Sequence, residues 1–333
     1  RAAGLLTLLA AGAGLTQIAA WQAAITLIAA MAALWWTGRI EPRYRFHLAA
    51  FRWEVLRPYL ASSFTAACAQ AIGGIYWQMP QLLLGFVGGT AWIAQYHIAQ
   101  KFPLTALAVA GRSAGALFPA ASEHERTQDL ASLREVLEVG TRWLMVLALP
   151  LCLVLLIIAP DLLRAWLGEA PPSTVLVLRL TAATVLLDAL AEAPMDVLYA
   201  RGLTKAFVGA FVAFTLCSIG LGLLLLSREG LAGAAWGLFL SMACGSFTLL
   251  HVAARACQAR AFPLLRATFT GLLRPSAACA CATLAVLQAA PGSWPAVIGA
   301  SLAGGAAYAC ALYAWGGRAE ELAFAEQFLR SPS

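Results

Sequence analysis

The chain has 333 residues, of which 61% are hydrophobic and 11% charged, and its mean hydropathy is +0.78. Soluble domains carry roughly 45–50% apolar and about 25% charged residues, so this composition excludes a water-soluble globular fold and makes lipid the solvent for most of the chain. On a soluble protein the formal net charge of +6 would suggest nucleic acid; here the basic residues cluster between apolar stretches, and no nucleic-acid partner is expected.

The chain opens at Arg1, without Met, directly in an apolar run too long for a signal peptide, and it reads as a fragment whose beginning lies upstream. A helix needs about 20 apolar residues to cross a hydrocarbon core roughly 30 Å thick, and a backbone in lipid must satisfy its own hydrogen bonds. On that basis the sequence predicts an all-α polytopic membrane protein. A partial span covers 3–15, and nine full spans cover 17–37, 59–85, 92–118, 143–160, 174–198, 206–226, 230–253, 269–288 and 294–315. The short alternating segments of a β-barrel are missing from the text. Gly12-Ala13-Gly14, Gly88-Gly89, Pro171-Pro172, Ser227 to Gly230 and Pro291-Gly292 supply the turns between spans.

Orientation follows from the lysines and arginines beside the spans. One set of alternate loops holds Arg39, Arg43, Arg45, Arg52, Arg57, Arg126, Arg134, Arg142, Arg201, Lys205, Arg255, Arg260, Arg266, Arg274, Arg318 and Arg330, whereas the opposite set holds only Arg164 and Arg228. The basic set is therefore expected in the cytoplasm. In the first cytoplasmic connection, Phe46, Ala49, Ala50, Trp53 and Leu56 alternate with arginines as in a helix lying in the membrane interface. In the second, Ser122 to Arg142 mixes both signs of charge and sets Leu130, Leu133 and Leu137 on one side. Both read as solvated connectors.

Charges at bilayer depth are costly and normally face protein or a watered cavity. The span 174–198 carries Asp188, Glu192 and Asp196, which at 100° per residue form one acidic stripe. Such a stripe suits proton or sodium coupling or a counter-charge, and equally suits hydrogen bonds to neighbouring helices with Asp196 in the headgroup zone. Arg179 is on the opposite side of that helix near its outer end, where it can snorkel. The span 92–118 carries His97, Lys101 and Arg112 within about 60° of one another. They suit contacts to an anionic substrate, interfacial placement, or pairing of Arg112 with Asp188 or Glu192.

The eight cysteines lack the spacing of a metal site or a disulfide framework and read as packing residues. No phosphate loop, His-Glu-x-x-His or nucleophile elbow occurs, so neither catalysis nor a cofactor or metal is expected. Net transport would then draw on an ion gradient or on substrate consumption.

Several short motifs share one order. They are Gln81-Leu82-Leu83-Leu84-Gly85 with Ala94 to Lys101, Leu117-Phe118-Pro119-Ala120-Ala121-Ser122, Leu163-Arg164-Ala165-Trp166-Leu167-Gly168, Leu198 to Lys205, and Gly230-Leu231-Ala232-Gly233-Ala234-Ala235-Trp236-Gly237. This series, over roughly residues 55–255, resembles helices seven to twelve of the polysaccharide (O-antigen) flippases in the multidrug/oligosaccharidyl-lipid/polysaccharide exporter superfamily. The resemblance implies a bundle of fourteen helices in two lobes around a cavity, of which this chain lacks most of the N-terminal lobe. Residues 1–38 would be helices five and six, 39–58 a cytoplasmic interfacial connector, 59–260 the C-terminal lobe, 261–317 two trailing helices and 318–333 a cytoplasmic tail. It further implies alternating-access transfer of undecaprenyl-diphosphate-linked oligosaccharide across the bacterial inner membrane for O-antigen, capsule or exopolysaccharide assembly, with a cytoplasmic C-terminus and glycan polymerisation machinery as partner. Arg112, Lys101 and His97 become the substrate-cavity candidates, and Asp188, Glu192 and Asp196 the coupling or counter-charge candidates. Pro80 stands where many relatives have Asp, which removes any role of that carboxylate. The lipid II flippase and cation antiporter branches remain alternatives, as does a membrane-embedded transferase, for which the outer loops are short.

Overall fold

The structure is a computed structural model that describes residues 14–40, 52–114, 130–289 and 292–316, together with Gly4, Thr7, Gly12 and Ser122. Most of the expected partial span 3–15, the middle of the first connector, residues 115–118 of the third full span and the tail 318–333 lie outside the described residues. Every described element is helical, as the composition requires: α1 Leu15–Ile40, α2 Trp53–Val87, α3 Gly89–Ala114, α4 Leu130–Leu167, α5 Pro172–Ala200, α6 Thr204–Glu229, α7 Leu231–Ala256, α8 Ala261–Thr270, α9 Leu273–Ala289 and α10 Trp294–Ala311, which runs on into a π turn at Leu312–Gly316. Each of the nine full spans read from the sequence overlaps a described helix, and 269–288 straddles the break between α8 and α9. By length and apolar content six described helices can cross a membrane, and α8 with α9, bent by 46° at their junction, supply a seventh. α2 and α3 do not meet that test, because Gln70, Gln78, Gln81, Gln95, His97, Gln100 and Lys101 dilute their apolar content.

The chain divides into two compact units, Arg1–Ser62 and Ser63–Ser333. In the first, α1 starts where the Gly14 amide donates to Oε1 of Gln17, 3.2 Å away. It ends with the Arg39 guanidinium 4.7 Å from the Trp35 ring centre, an aromatic-cationic pairing suited to a membrane interface.

In the second unit α5 is the central helix, packed by α3, α4 and α7. Its buried face is a run of Val, Leu, Ala and Thr, and the small Ala and Thr side chains let helices approach closely in lipid. The expected solvated connector over Ser122 to Arg142 is corrected here. From Leu130 onward it is the first part of α4, and Leu133 and Leu137 are fully buried against Val197, Leu198, Leu249 and Ala253. At 38 residues α4 is about 57 Å long, so it outruns the bilayer and carries its apolar stripe into a cluster at the bundle end. Trp53 to Arg57 likewise belong to α2. The sequence reading also passed over α8, a ten-residue helix too short to cross the membrane by itself.

Turns form where glycine permits left-handed backbone, as at Gly230 between α6 and α7, with φ of 56°. That hairpin is held closely: a Cβ added to Gly237 would stand 2.5 Å from the backbone nitrogen of Gly222, and one added to Gly233 would stand 2.3 Å from the Leu225 carbonyl oxygen.

Candidate functional site

The acidic stripe of α5 faces the bundle. Asp188 is 8% exposed, and Glu192 and Asp196, one and two turns further on, are half-buried. Among the described residues no hydrogen bond or ion pair reaches any of the three. Asp188 lies within electrostatic range of the Tyr76 hydroxyl on α2. That hydroxyl is 2.8 Å from Oγ of Ser241 and 3.1 Å from the carbonyl oxygen of Leu238, both on α7. Ser246 donates to the Leu187 carbonyl at 2.8 Å, so α7 meets α5 by a polar contact beside Asp188. The sequence reading missed Tyr76 and Ser241; a tyrosine in the middle of an apolar span was the available signal, since its O–H needs a partner in lipid.

The basic stripe of α3 faces the other way. Tyr96, Ala99, Gln100 and Pro103 are buried, whereas His97, Lys101 and Thr105 are exposed. His97 Nδ1 lies 3.5 Å from Nε2 of Gln81 across the α2–α3 hairpin. Arg112 belongs to α3, but its side chain lies outside the described residues. No ion pair joins the acidic and basic stripes among the described residues. Next to Lys101, Phe102 and Thr105 begin the wall of an apolar groove of about 630 Å³ between α3, α4 and α10, closed by Val109, Leu151, Val154 and Tyr308. None of His97, Lys101, Asp188, Glu192 and Asp196 is among the described residues that line it.

Three arginines are assigned by packing. Arg142 and Arg201, read from the sequence as loop charges, reach across to other helices. Nη1 of Arg142, itself 6% exposed, donates to the Ala267 carbonyl at 3.0 Å where α8 ends, and Gly271 gives it room. Nη1 of Arg201 donates to the Ala256 carbonyl at the end of α7. Helix ends leave carbonyls without amide partners, and the guanidinium groups satisfy them. Arg179 is exposed, and its Nε donates to the Leu156 carbonyl on α4 at 3.0 Å.

A family profile described as polysaccharide biosynthesis protein matches residues 2–176, just over half of the chain. The chain belongs to this polysaccharide biosynthesis protein family. No curated protein matches it. Family membership and the helical architecture together make this polysaccharide biosynthesis protein a multi-pass membrane protein of transporter type. The matched region contains α3 with its exposed basic stripe and ends within the first turns of α5, before the acidic one.

Proposed function

We propose that the protein flips undecaprenyl-diphosphate-linked oligosaccharide across the bacterial inner membrane by alternating access, with its C-terminus in the cytoplasm. One observation carries the reading: His97 and Lys101 stand exposed side by side on α3. Lipid is a poor surrounding for a cation, so this face requires water or an anionic ligand. A diphosphate suits Lys101, and Arg112 lies eleven residues further along α3, three turns away on the same side. The apolar groove beside Lys101 fits an amphipathic rather than a purely polar cargo. The lobes expected from the sequence, with residues 59–260 as one lobe, belong to the same reading, as does a glycan polymerase as downstream partner.

Replacing Lys101 and Arg112 by Ala should lower export of lipid-linked glycan while protein levels in the membrane stay normal. Unimpaired export in the double variant would remove the α3 stripe from the transport path.

A second reading has its own support. Asp188 is buried with no ion pair among the described residues, as befits a site that exchanges a proton or sodium ion, and this favours a cation-coupled cycle or an antiporter of the same superfamily. Under it, Asp188→Asn with Glu192→Gln should abolish the dependence of transport on pH or sodium, whereas indifference to both ions would leave the stripe structural.

A further inference from the structure

Several arginines of the second unit are engaged by the protein itself. Arg142 and Arg201 donate to helix-end carbonyls, and Arg179 donates to the Leu156 carbonyl, which Pro160 deprives of its helical amide. Four others differ: Arg255 in the last turn of α7, Arg260 just before α8, Arg266 on α8 and Arg274 at the start of α9. All four are exposed, and among the described residues none has a hydrogen-bond or ion-pair partner. Their own stretch supplies no counter-charge, since from Leu231 to Ala319 the sequence contains no Asp or Glu. On the adjacent α4, Glu138 pairs with Arg134 at 2.8 Å, and Glu135, which shares a pocket with Gln258, pairs with none of the four among the described residues.

Depth decides what this cationic corner meets. Between Arg142 and Asp161 α4 carries no charged side chain, a length of about 29 Å at 1.5 Å per residue, which matches a hydrocarbon core of roughly 30 Å. α9 runs between the same two levels. Just past it, the Gly292 amide donates to Oδ1 of Asp161 at 2.9 Å; just before it, a Cβ added to Gly271 would stand 2.6 Å from Nη2 of Arg142. α8, which precedes Gly271 and is held to Arg142 through the Ala267 carbonyl, therefore lies outside the core. Its ten residues make about 15 Å of helix. With α9 along the bilayer normal, the 46° bend tilts α8 through the headgroup layer, about 5–7 Å deep.

At 100° per residue Phe262 and Arg266 lie on the side of α8 opposite Leu264 and Thr268, which are buried against the bundle. Phe262 is 75% exposed, and Leu273, beside Arg274 at the core boundary, is 66% exposed. A phospholipid offers both chemistries at this depth: phosphate oxygens that match guanidinium groups, and acyl chains that accept an apolar side chain. We propose that the α8–α9 corner docks anionic phospholipid, with Arg260, Arg266 and Arg274 on the head groups and Leu273 on the acyl chains. The assignment requires nothing of the transported cargo.

The test is native mass spectrometry of the full chain released from nanodiscs that hold equal amounts of phosphatidylglycerol and phosphatidylcholine. The wild type should retain phosphatidylglycerol in preference to phosphatidylcholine. Each arginine near a membrane surface favours anionic lipid by roughly fivefold, so Arg260→Gln/Arg266→Gln/Arg274→Gln should cut the preference by roughly tenfold or more. Should the triple variant fail to reach the membrane, Arg266→Gln alone should lose roughly fivefold. Arg228→Gln, which changes an exposed arginine at the opposite end of the bundle, should leave the preference unchanged. Equal preference in the wild type and the corner variants would overturn the proposal, as would an equal loss in Arg228→Gln. Displacement of phosphatidylglycerol by inorganic phosphate would show a free-anion site, and displacement by polyglutamate a surface for an acidic protein; either would overturn the lipid assignment.

Discussion

Replacing Gly237 by Ala should drive α6 and α7 apart. The added Cβ would stand 2.5 Å from the Gly222 nitrogen, 2.6 Å from the Gly222 Cα and 3.1 Å from the Ser218 carbonyl oxygen, whereas ordinary contact begins at 3.4 Å. The first two atoms are backbone, so a rotamer change cannot relieve the overlap; the helix axes must separate by about 0.9 Å, or α7 must rotate. Overpacking of this kind costs about 1–3 kcal/mol. Alanine returns about 1 kcal/mol of helix propensity over glycine, leaving a net loss of up to about 2 kcal/mol. Thermal unfolding of the detergent-purified protein should therefore show a lower melting temperature for Gly237→Ala. Gly209 and Gly220 lie on α6 with nothing within 4 Å of their added Cβ atoms, so Gly209→Ala and Gly220→Ala should be neutral or stabilising. A Gly237→Ala protein as stable as those two controls would refute the close approach of the helices.

Tyr76→Phe should destabilise by about 1 kcal/mol, because it removes the hydroxyl that joins α2 to Ser241 and Leu238 of α7. In a double-mutant cycle with Ser241→Ala the two losses should not add; additive losses would mean the hydroxyls act separately. Oδ1 of Asp161 accepts from the Gly292 amide at 2.9 Å in the turn before α10, and its side chain is 15% exposed. Asp161→Ala should cost about 1–3 kcal/mol in the same unfolding assay, while Asp161→Asn, which keeps an acceptor oxygen, should cost less.

The features legible in the text were those set by neighbours in the chain. Hydropathy placed the long apolar helices because burial in lipid acts on each 20-residue stretch alone, and Gly88-Gly89, Pro171-Pro172 and Gly230 marked turns because backbone freedom is local. Periodicity put Asp188, Glu192 and Asp196 on one face for the same reason. What lies opposite a face is not local. Leu133 and Leu137 looked like one side of a solvated connector, since the α5 and α7 ends that cover them come 60 or more residues later.

The sequence by itself determined that this is a helical membrane protein and where its chain turns, because solvent, helix periodicity and glycine geometry act over a few residues at a time. Only the tertiary structure decided that Asp188 is enclosed while His97 and Lys101 are open, and that Arg142, Arg179 and Arg201 bond carbonyls on other helices. Those outcomes depend on which helix end or proline-freed carbonyl packing brings within reach of a side chain, and packing joins residues separated by 23, 55 or 125 positions.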